Sequence, residues 1–297
     1  MVGNNSFNLR LERTIITIFL VLLAMLCVAP VLYVLAVSLS DRVAVEAGKV
    51  SFWPVGFTLE AYNQILQDER FFTSFMVTIK RCILGGTIDF LVMVSMAFPL
   101  SRTNRQFPAR PFYITVMIIC MLFNGGMIPT FLVVNKLKLI DTIWALVLPG
   151  SVKIFNIILL MNFFKGIPAS LEEAAIIDGA SPFTILTKVF LPLSKPAIAT
   201  VMLFSLLGHW NGFMDGILYM NKPENFPLQT YIYQLSRSID YNYLATLPAE
   251  EAARLLEVCN TTFNSAKVFV CMIPVLIVYP FAQKYFTKGL VMGSVKG

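Results

Sequence analysis

Apolar residues fall into six long runs along this chain, and short polar segments separate the runs. A helix needs about 20 predominantly apolar residues to cross the hydrocarbon of a bilayer, and each run reaches that length. Because lipid offers no partner for backbone amides, such runs must be helical, and the alternating pattern of a membrane barrel is absent from the sequence. The predicted spans cover about residues 14–38, 75–100, 112–134, 142–164, 196–219 and 266–286.

The first and fourth runs carry additional signals. The first follows Arg10 and Arg13 and exceeds the roughly 7–15 residues of a signal-peptide core, which favours a retained span over a cleaved signal. The fourth contains Pro149 and Gly150, which predict a kink. The whole pattern predicts an all-α polytopic membrane protein in which residues 1–297 form a single transmembrane domain.

Composition excludes several other classes of protein. Of the 297 residues, 57% are hydrophobic and 13% are charged, whereas a soluble domain carries about 25% charged residues. A soluble enzyme, a disordered chain and a secreted disulfide scaffold are therefore excluded for the whole chain. The five cysteines include no CxxC pair and are interpreted as small buried hydrophobic residues. Since His209 is the one histidine, we predict neither a metal site nor a catalytic residue, and His209 is expected to be a hydrogen-bonded core residue.

The distribution of charge predicts the orientation of the chain. With six spans, both termini lie on one side of the membrane. That side carries eleven basic and four acidic residues, and the opposite side carries eight basic and eleven acidic residues. Balances of +7 and −3 predict cytoplasmic termini by the positive-inside rule. We expect a multi-pass protein that is surrounded by membrane lipid and has no nucleic-acid partner.

One predicted cytoplasmic segment, residues 168–192, has the local signals of a helix–glycine–helix elbow. Ser170 followed three residues later by Glu173 is the pattern of a capping box, which predicts a short helix from Leu171 onward. Gly179 supplies the left-handed residue that ends this helix.

The second helix of the elbow is expected to begin with Ser181 as its cap and Pro182 in its first turn, and Pro192 limits it. The first helix has about two turns, too few to be stable alone in water. Ala174 and Ala175 give it a surface that another backbone can approach closely. Two interpretations follow: the helix docks in a groove of a cytoplasmic protein, or it is a connector that packs against its own bundle.

Six positions of the elbow form a spaced pattern, namely Glu173, Ala174, Ala175, Gly179, Leu191 and Pro192. This pattern resembles the EAA motif of the permease subunits of bacterial ATP-binding-cassette (ABC) importers. Val189 stands where isoleucine is usual in that motif, which is a mild departure. Residues 98–102, 210–212 and 288–297 resemble the carbohydrate branch of the same family, so the resemblance covers essentially the whole chain.

The resemblance implies a type I importer permease in a bacterial inner membrane, with six transmembrane helices and a cytoplasmic coupling helix. It implies half of a heterodimeric pore for oligosaccharides, either neutral or acidic, such as alginate or aldouronate. The implied partners are a second, homologous permease, a dimer of cytoplasmic ATP-binding subunits and an extracytoplasmic solute-binding protein. In that family the glutamate contacts the ATPase and the glycine forms the elbow. The ATPase-coupling residues carried over to this chain are Glu172, Glu173, Ala174, Ala175, Asp178 and Gly179.

The sequence contains no GxxxxGK[ST] phosphate loop, so the chain is not expected to bind ATP or to be an enzyme. No cofactor is expected on this chain, and ATP and magnesium are expected on the partner ATPase. The main alternative is a secondary transporter driven by an ion gradient, which predicts inverted repeats that the two halves do not clearly show. An ABC permease for a solute other than a sugar is the other alternative.

Ionisable residues within spans are costly in lipid and are therefore candidates for function. Lys80 and Arg81 are expected to extend to the membrane interface. Asp89 is a candidate without an assigned role. Lys153 follows the predicted kink; it either faces a central cavity, where a cation suits an acidic sugar, or forms a buried pair with an aspartate.

Span five combines residue types that bind sugars. Trp210 offers an apolar face for a sugar ring, and Asn211 and Asp215 offer groups for sugar hydroxyls. Together with Lys153 they form the predicted substrate pathway. Three glycines within residues 208–216 favour the alternative that this segment serves helix packing.

The loop of residues 221–265 is predicted to lie outside the membrane, where it either contacts the binding protein or is simply solvated. Its aromatic and acidic residues are Tyr231, Tyr233, Tyr241, Tyr243, Glu250, Glu251 and Glu257.

Overall fold

The computed structural model describes residues 5–123, 125–235 and 261–294, and the regular structure within these ranges is helical. The first seven α-helices are α1 (Asn5–Ser38), α2 (Arg42–Glu46), α3 (Glu60–Gln67), α4 (Glu69–Ser101), α5 (Arg110–Leu122), α6 (Met127–Lys136) and α7 (Ile143–Val147). The remaining α-helices are α8 (Ile154–Lys165), α9 (Ala169–Ile177), α10 (Pro182–Ile185), α11 (Leu191–Leu193), α12 (Lys195–Asn211), α13 (Met214–Tyr219), α14 (Leu228–Leu235) and α15 (Thr261–Ser294).

Among the described residues, three helices are long and apolar enough to cross a membrane alone: α1, α4 and α15. They contain the predicted first, second and sixth spans. The number rises to six if each bent pair of helices counts as one span. The six-span count and its boundaries stay predictions.

The other predicted spans are interrupted. The third is divided between α5 and α6. The fourth bends by 51° between Ile143–Gly150 and α8, which confirms the predicted kink after Pro149. The fifth is broken at Gly212, because α12 ends at Asn211 and α13 begins only at Met214.

The chain divides into two compact units. One contains residues 1–69 and 234–273, and the other contains residues 70–233 and 274–297. In the first unit, Ser38 Oγ and Tyr62 OH share a hydrogen bond of 2.8 Å. Lys267 Nζ lies 2.6 Å from Asp68 Oδ2 and 3.8 Å from the centre of the Phe263 ring, so this buried cation is compensated within the unit.

The second unit is held together by an apolar core with helical spacing. On α4 the stripe of Met93, Ala97 and Leu100 is buried, and on α8 the stripe of Ile157, Leu160 and Phe164 is buried. Residues three and four apart lie on one face of a helix, so these stripes pack each helix against its neighbours. Phe190, near the end of the elbow segment, contacts both helices through edge-to-face rings of Phe98 and Phe164.

Candidate functional site

The elbow has the predicted helix–glycine–helix geometry. Gly179 has φ of +77°, a left-handed conformation that glycine adopts without the steric cost that a Cβ brings. Its N–H donates to the carbonyl of Ile176 at 3.0 Å, and the N–H of Ala180 donates to the carbonyl of Ala175 at 2.9 Å. These bonds satisfy the last carbonyl groups of α9 and turn the chain.

The start of the second helix also follows the prediction. The Ser181 side chain accepts a hydrogen bond from the N–H of Thr184 at 3.2 Å, with Pro182 in the first turn. A wide π-helical turn spans Leu186–Phe190 and precedes Pro192, which cannot donate the next helical bond. The helical backbone continues to Leu193, and the axis bends by 84° before α12.

The predicted capping box is wrong. The helix α9 begins at Ala169, its N-cap is Pro168, and no side chain caps it. Ser170 therefore already has helical backbone angles, and its hydroxyl stands too far along the helix to cap it. Proline suits this entry because its φ is fixed near the required value.

The two neighbouring glutamates of α9 point in different directions. Glu172 forms an ion pair with Arg102 at the end of α4, and its side chain is 17% exposed. Glu173 is exposed, as are Ala174, Asp178 and Gly179. The same helix thus holds its own bundle with one glutamate and presents the next one outward.

The outward surface of the elbow is apolar as well as acidic. Ile176 is 52% exposed, Ile177 85% and Phe183 73%. A short helix with two exposed isoleucines next to an exposed phenylalanine matches the helix-in-groove mode of docking. Of the predicted coupling residues, Ala175 is half-buried and Glu172 points inward.

A second cluster surrounds the break in the fifth predicted span. Arg81 on α4 donates to the carbonyl of Gly212 at 3.0 Å and forms an ion pair with Asp215 on α13. A Cβ at Gly212 would lie 2.6 Å from Arg81 Nη2, so the close approach of the guanidinium requires glycine. Arg81 is 4% exposed, so the prediction that it extends to the interface is wrong. Its neighbour Lys80 is exposed.

A cavity of about 630 Å³ opens at this break. Asn211 and Asp215 line it, together with Arg81, Thr130 and Tyr219. This volume lies within the usual range for ligand pockets, about 300–1,000 Å³. Asp215 remains 25% exposed despite its ion pair, so its carboxylate can accept further hydrogen bonds from the cavity.

Asp89, in the middle of α4, is the centre of a buried polar network. One oxygen, Oδ2, accepts from Lys153 Nζ at 2.5 Å, lies 2.9 Å from His209 Nε2, and accepts from the hydroxyl of Ser205. Asp89 is fully buried and His209 is 4% exposed. The expectation of a hydrogen-bonded core histidine is confirmed.

Lys153 and Trp210 lie outside the set of residues that line the cavity. Of the two alternatives for Lys153, the structure shows the buried pair, with Asp89 of the same chain. The Nζ atom of Lys153 would lie 3.7 Å from a Cβ built at Gly208. Trp210 is 7% exposed and packs edge-to-face on Phe75 at 5.9 Å. A role in the substrate pathway stays a prediction for both residues.

Sequence reasoning missed the partners of three charges: Arg81, Arg102 and Lys267. Arg102 follows a helix end and has the appearance of an ordinary basic loop residue. Among the described residues no three histidine, cysteine, aspartate or glutamate side chains are grouped so as to hold a metal ion. Of the predicted outer-loop residues, Tyr231 is buried on α14 and Tyr233 is exposed. The other predicted loop residues lie outside the described ranges: Tyr241, Tyr243, Glu250, Glu251 and Glu257.

Comparison with known proteins covers nearly the whole chain. The model of the family described as binding-protein-dependent transport system inner membrane component matches residues 10–291. The chain is 39% identical to the polygalacturonan/rhamnogalacturonan transport system permease protein YtcP of Bacillus subtilis, over 97% of this chain and 99% of that protein. It is 37% identical to the protein LplC of the same organism, over 91% of this chain and 90% of that protein.

A solved structure has the same fold. It is a chain of a bacterial ABC transporter involved in the import of the acidic polysaccharide alginate, with 34% sequence identity and a TM-score of 0.84. The match covers 93% of this chain and 97% of that chain.

Proposed function

We propose that this chain, which belongs to the family of binding-protein-dependent transport system inner membrane components, is a permease subunit of an ATP-driven importer. It forms half of a heterodimeric pore for oligosaccharides, and a second, homologous permease forms the other half. The chain is a transport component and not an enzyme. The observation that carries the proposal is the elbow, whose Glu173 and apolar side chains face away from the bundle.

The elbow is the docking site for the ATPase. Glu173, Ala174, Ala175 and Asp178 form its contact surface, and Gly179 holds the turn. Exposed Ile177 and Phe183 supply the apolar area that such an interface needs at its centre. Because the sequence has no phosphate loop, ATP and magnesium bind to the partner, and closure of the ATPase dimer moves the docked elbow.

The proposed orientation places the elbow and both termini in the cytoplasm. The excess of basic residues on that side supports it. The opposite side faces a solute-binding protein, and the name of the family, binding-protein-dependent transport system, supports this partner.

The substrate is an oligosaccharide, and acidic chains are the first candidates. The name of the relative YtcP includes polygalacturonan and rhamnogalacturonan. The ABC transporter with the similar solved structure is involved in the import of alginate. In this subunit, Asn211 and Asp215 face the cavity and are suited to sugar hydroxyls. Both nearby cations, Arg81 and Lys153, are already paired with aspartates, which favours weak contacts with hydroxyls over tight capture of a carboxylate. Weak binding suits a pathway that the substrate must leave.

The test is an ATPase and uptake assay on the complete assembly in proteoliposomes. The binding protein is loaded in turn with neutral and uronic oligosaccharides, and stimulation of the ATPase by a uronic oligosaccharide is expected. Uptake that follows an ion gradient without ATP would support the secondary transporter instead and overturn the proposal.

Two variants test the elbow. Glu173→Gln is expected to lower ATP-dependent uptake at least about tenfold, as expected for the loss of one strong interface contact. Gly179→Ala costs roughly 1–2 kcal/mol through its positive φ, although an added Cβ meets no atom within 4 Å, so it disturbs the turn without a clash. Glu12→Gln removes a carboxylate of α1 that is also exposed, and it is the matched control. Unchanged uptake in both elbow variants refutes the docking assignment.

A further inference from the structure

Arg102 connects the elbow to α4 through several contacts at once. Its guanidinium forms an ion pair with Glu172 of α9. The same group lies over two aromatic rings, 4.6 Å from the centre of Phe98 and 4.4 Å from the centre of Phe190. Its Nη2 also donates to Ser101 Oγ at 2.9 Å. One side chain thus contacts the coupling helix, the last part of the elbow segment, and the end of α4.

The contacts of Arg102 with Glu172 and the two rings are largely shielded from solvent. The Arg102 side chain is 12% exposed and that of Glu172 is 17% exposed. Exposed ion pairs contribute little because water screens them and side-chain entropy opposes them. Arg102 differs from such exposed pairs, because its guanidinium lies over two rings and also pairs with a carboxylate. A planar guanidinium can stack on a ring and form several directed hydrogen bonds at once, and lysine does not replace it.

The same helix also reaches the cavity, at Arg81, which lies 12 residues after its first residue, Glu69. Arg81 lies on α4, and Arg102 directly follows the last residue of this helix, 21 residues further along the chain, which corresponds to about 32 Å of helix. Arg81 holds Asp215 and Gly212 at the break that lines the cavity. Helix α4 therefore carries Arg81, which contacts the cavity, and is directly followed by Arg102, which contacts the elbow.

We propose that Arg102 is a positioning residue that transmits movement of the elbow to α4, with Glu172 as its partner on the coupling helix. The inference rests on the proposed ATP-driven import. It separates the two glutamates by role: Glu173 contacts the ATPase, and Glu172 ties the elbow to its own bundle. Loss of the Arg102–Glu172 pair leaves the ATPase docked but lets the elbow move without α4.

The test measures the number of oligosaccharides transported per ATP hydrolysed in proteoliposomes that hold the complete assembly. Glu172→Gln and Arg102→Gln are each expected to lower this ratio, roughly 2- to 30-fold, the range that altered coupling between sites produces. The ATPase subunits should still co-purify with both variants. Arg105→Gln is the matched control, since Arg105 is an exposed arginine three residues further along the chain.

The exchange of charges tests whether the pair itself matters. The single variants Arg102→Glu and Glu172→Arg each reverse one charge and are expected to lower the transport-to-ATP ratio. The double variant that combines them is expected to recover part of this loss. A wild-type ratio in both single variants overturns the inference, as does the absence of any recovery in the double variant. If Arg102→Gln does not assemble, Glu172→Gln decides, because it removes only the charge of the partner. Failure of both variants to assemble also overturns the inference, because it shows a purely structural role.

The control for the premise is the wild-type assembly. If loaded binding protein does not stimulate its ATPase, the proposed function fails independently of Arg102. If stimulation is normal and the variants keep the wild-type ratio, only the role of Arg102 fails.

Discussion

Replacement of Asp89 by asparagine tests the buried network in the second unit. In the wild type, Asp89 compensates the ammonium group of Lys153 at 2.5 Å and also binds His209 and Ser205. Asparagine has nearly the same shape but no charge. In the variant, Lys153 has no negative charge beside it and keeps only neutral polar neighbours, among them the Ser205 hydroxyl and carbonyl at 3.1 and 3.2 Å.

The expected cost follows from the burial of the pair. Removal of one member of a buried ion pair destabilises a protein by about 3–5 kcal/mol, because the other charge stays uncompensated. Asp89 is fully buried, but the Lys153 side chain is 22% exposed and can regain some solvation. We therefore expect Asp89→Asn to lower the free energy of unfolding by about 3 kcal/mol, the low end of that range.

The measurement is unfolding of the purified chain in mixed micelles with increasing SDS. The double variant Asp89→Asn with Lys153→Met removes both charges, and it is expected to recover about 1–2 kcal/mol relative to the sum of the single variants. Lys80→Met, on the exposed face of the same helix, is the control and should change stability by less than about 0.5 kcal/mol. Additive effects of the two single variants would refute the pairing of Asp89 with Lys153.

Further predictions concern close packing and pH. A Cβ at Gly85 would lie 2.5 Å from the His209 ring, so Gly85→Ala should lower the free energy of unfolding by about 1–3 kcal/mol in the same assay. The control is Gly150→Ala, because a Cβ at Gly150 meets no atom within 4 Å. Equal effects of the two variants would contradict the close packing of Gly85 against His209. Hydrogen bonds led by that from the Asn225 amide lower the pKa of Asp141 below its ordinary value. The stability from this carboxylate is therefore present above its ordinary pKa, about 3.9, and is lost as the pH falls through the lowered value. Melting temperatures against pH should show a smaller acid-side loss in Asp141→Asn than in the wild type, and identical profiles would refute this.

Local chemistry was sufficient to predict the turn of the elbow. Gly179 and the cap at Ser181 act through bonds to residues within four positions, and such bonds are visible in the sequence. Ser170 shows the limit of the same reasoning. A capping pattern identifies a helix start only if the helix begins where the pattern expects, and here the helix begins directly after Pro168, two residues earlier than predicted.

The directions of charged side chains depend on distant partners. Arg81 lies near the end of a predicted span, and depth alone favours an interfacial lysine or arginine. Its partner Asp215 is 134 residues away in the chain, so no local pattern connects the two. The same holds for Glu172 and Glu173, which are neighbours of identical type. Arg102, directly after α4, pairs with Glu172, whereas Glu173 is exposed.

The charges of α4 explain how a long apolar helix carries ionisable groups at little cost. Arg81, Asp89 and Arg102 lie at three levels of the helix, about 12 and 20 Å apart along its axis, and each is paired with an opposite charge from a different element. A charge that is left unpaired at membrane depth is expensive, so each pair fixes the position of its partner element relative to α4. The partner elements are α13 beside the cavity, the start of α8 after the kink, and α9 of the elbow. Since these pairs are far apart and share no residue, one can change without direct contact with the next. Both α4 and α12, which follows the elbow and ends at Asn211 of the cavity, connect the elbow with the cavity.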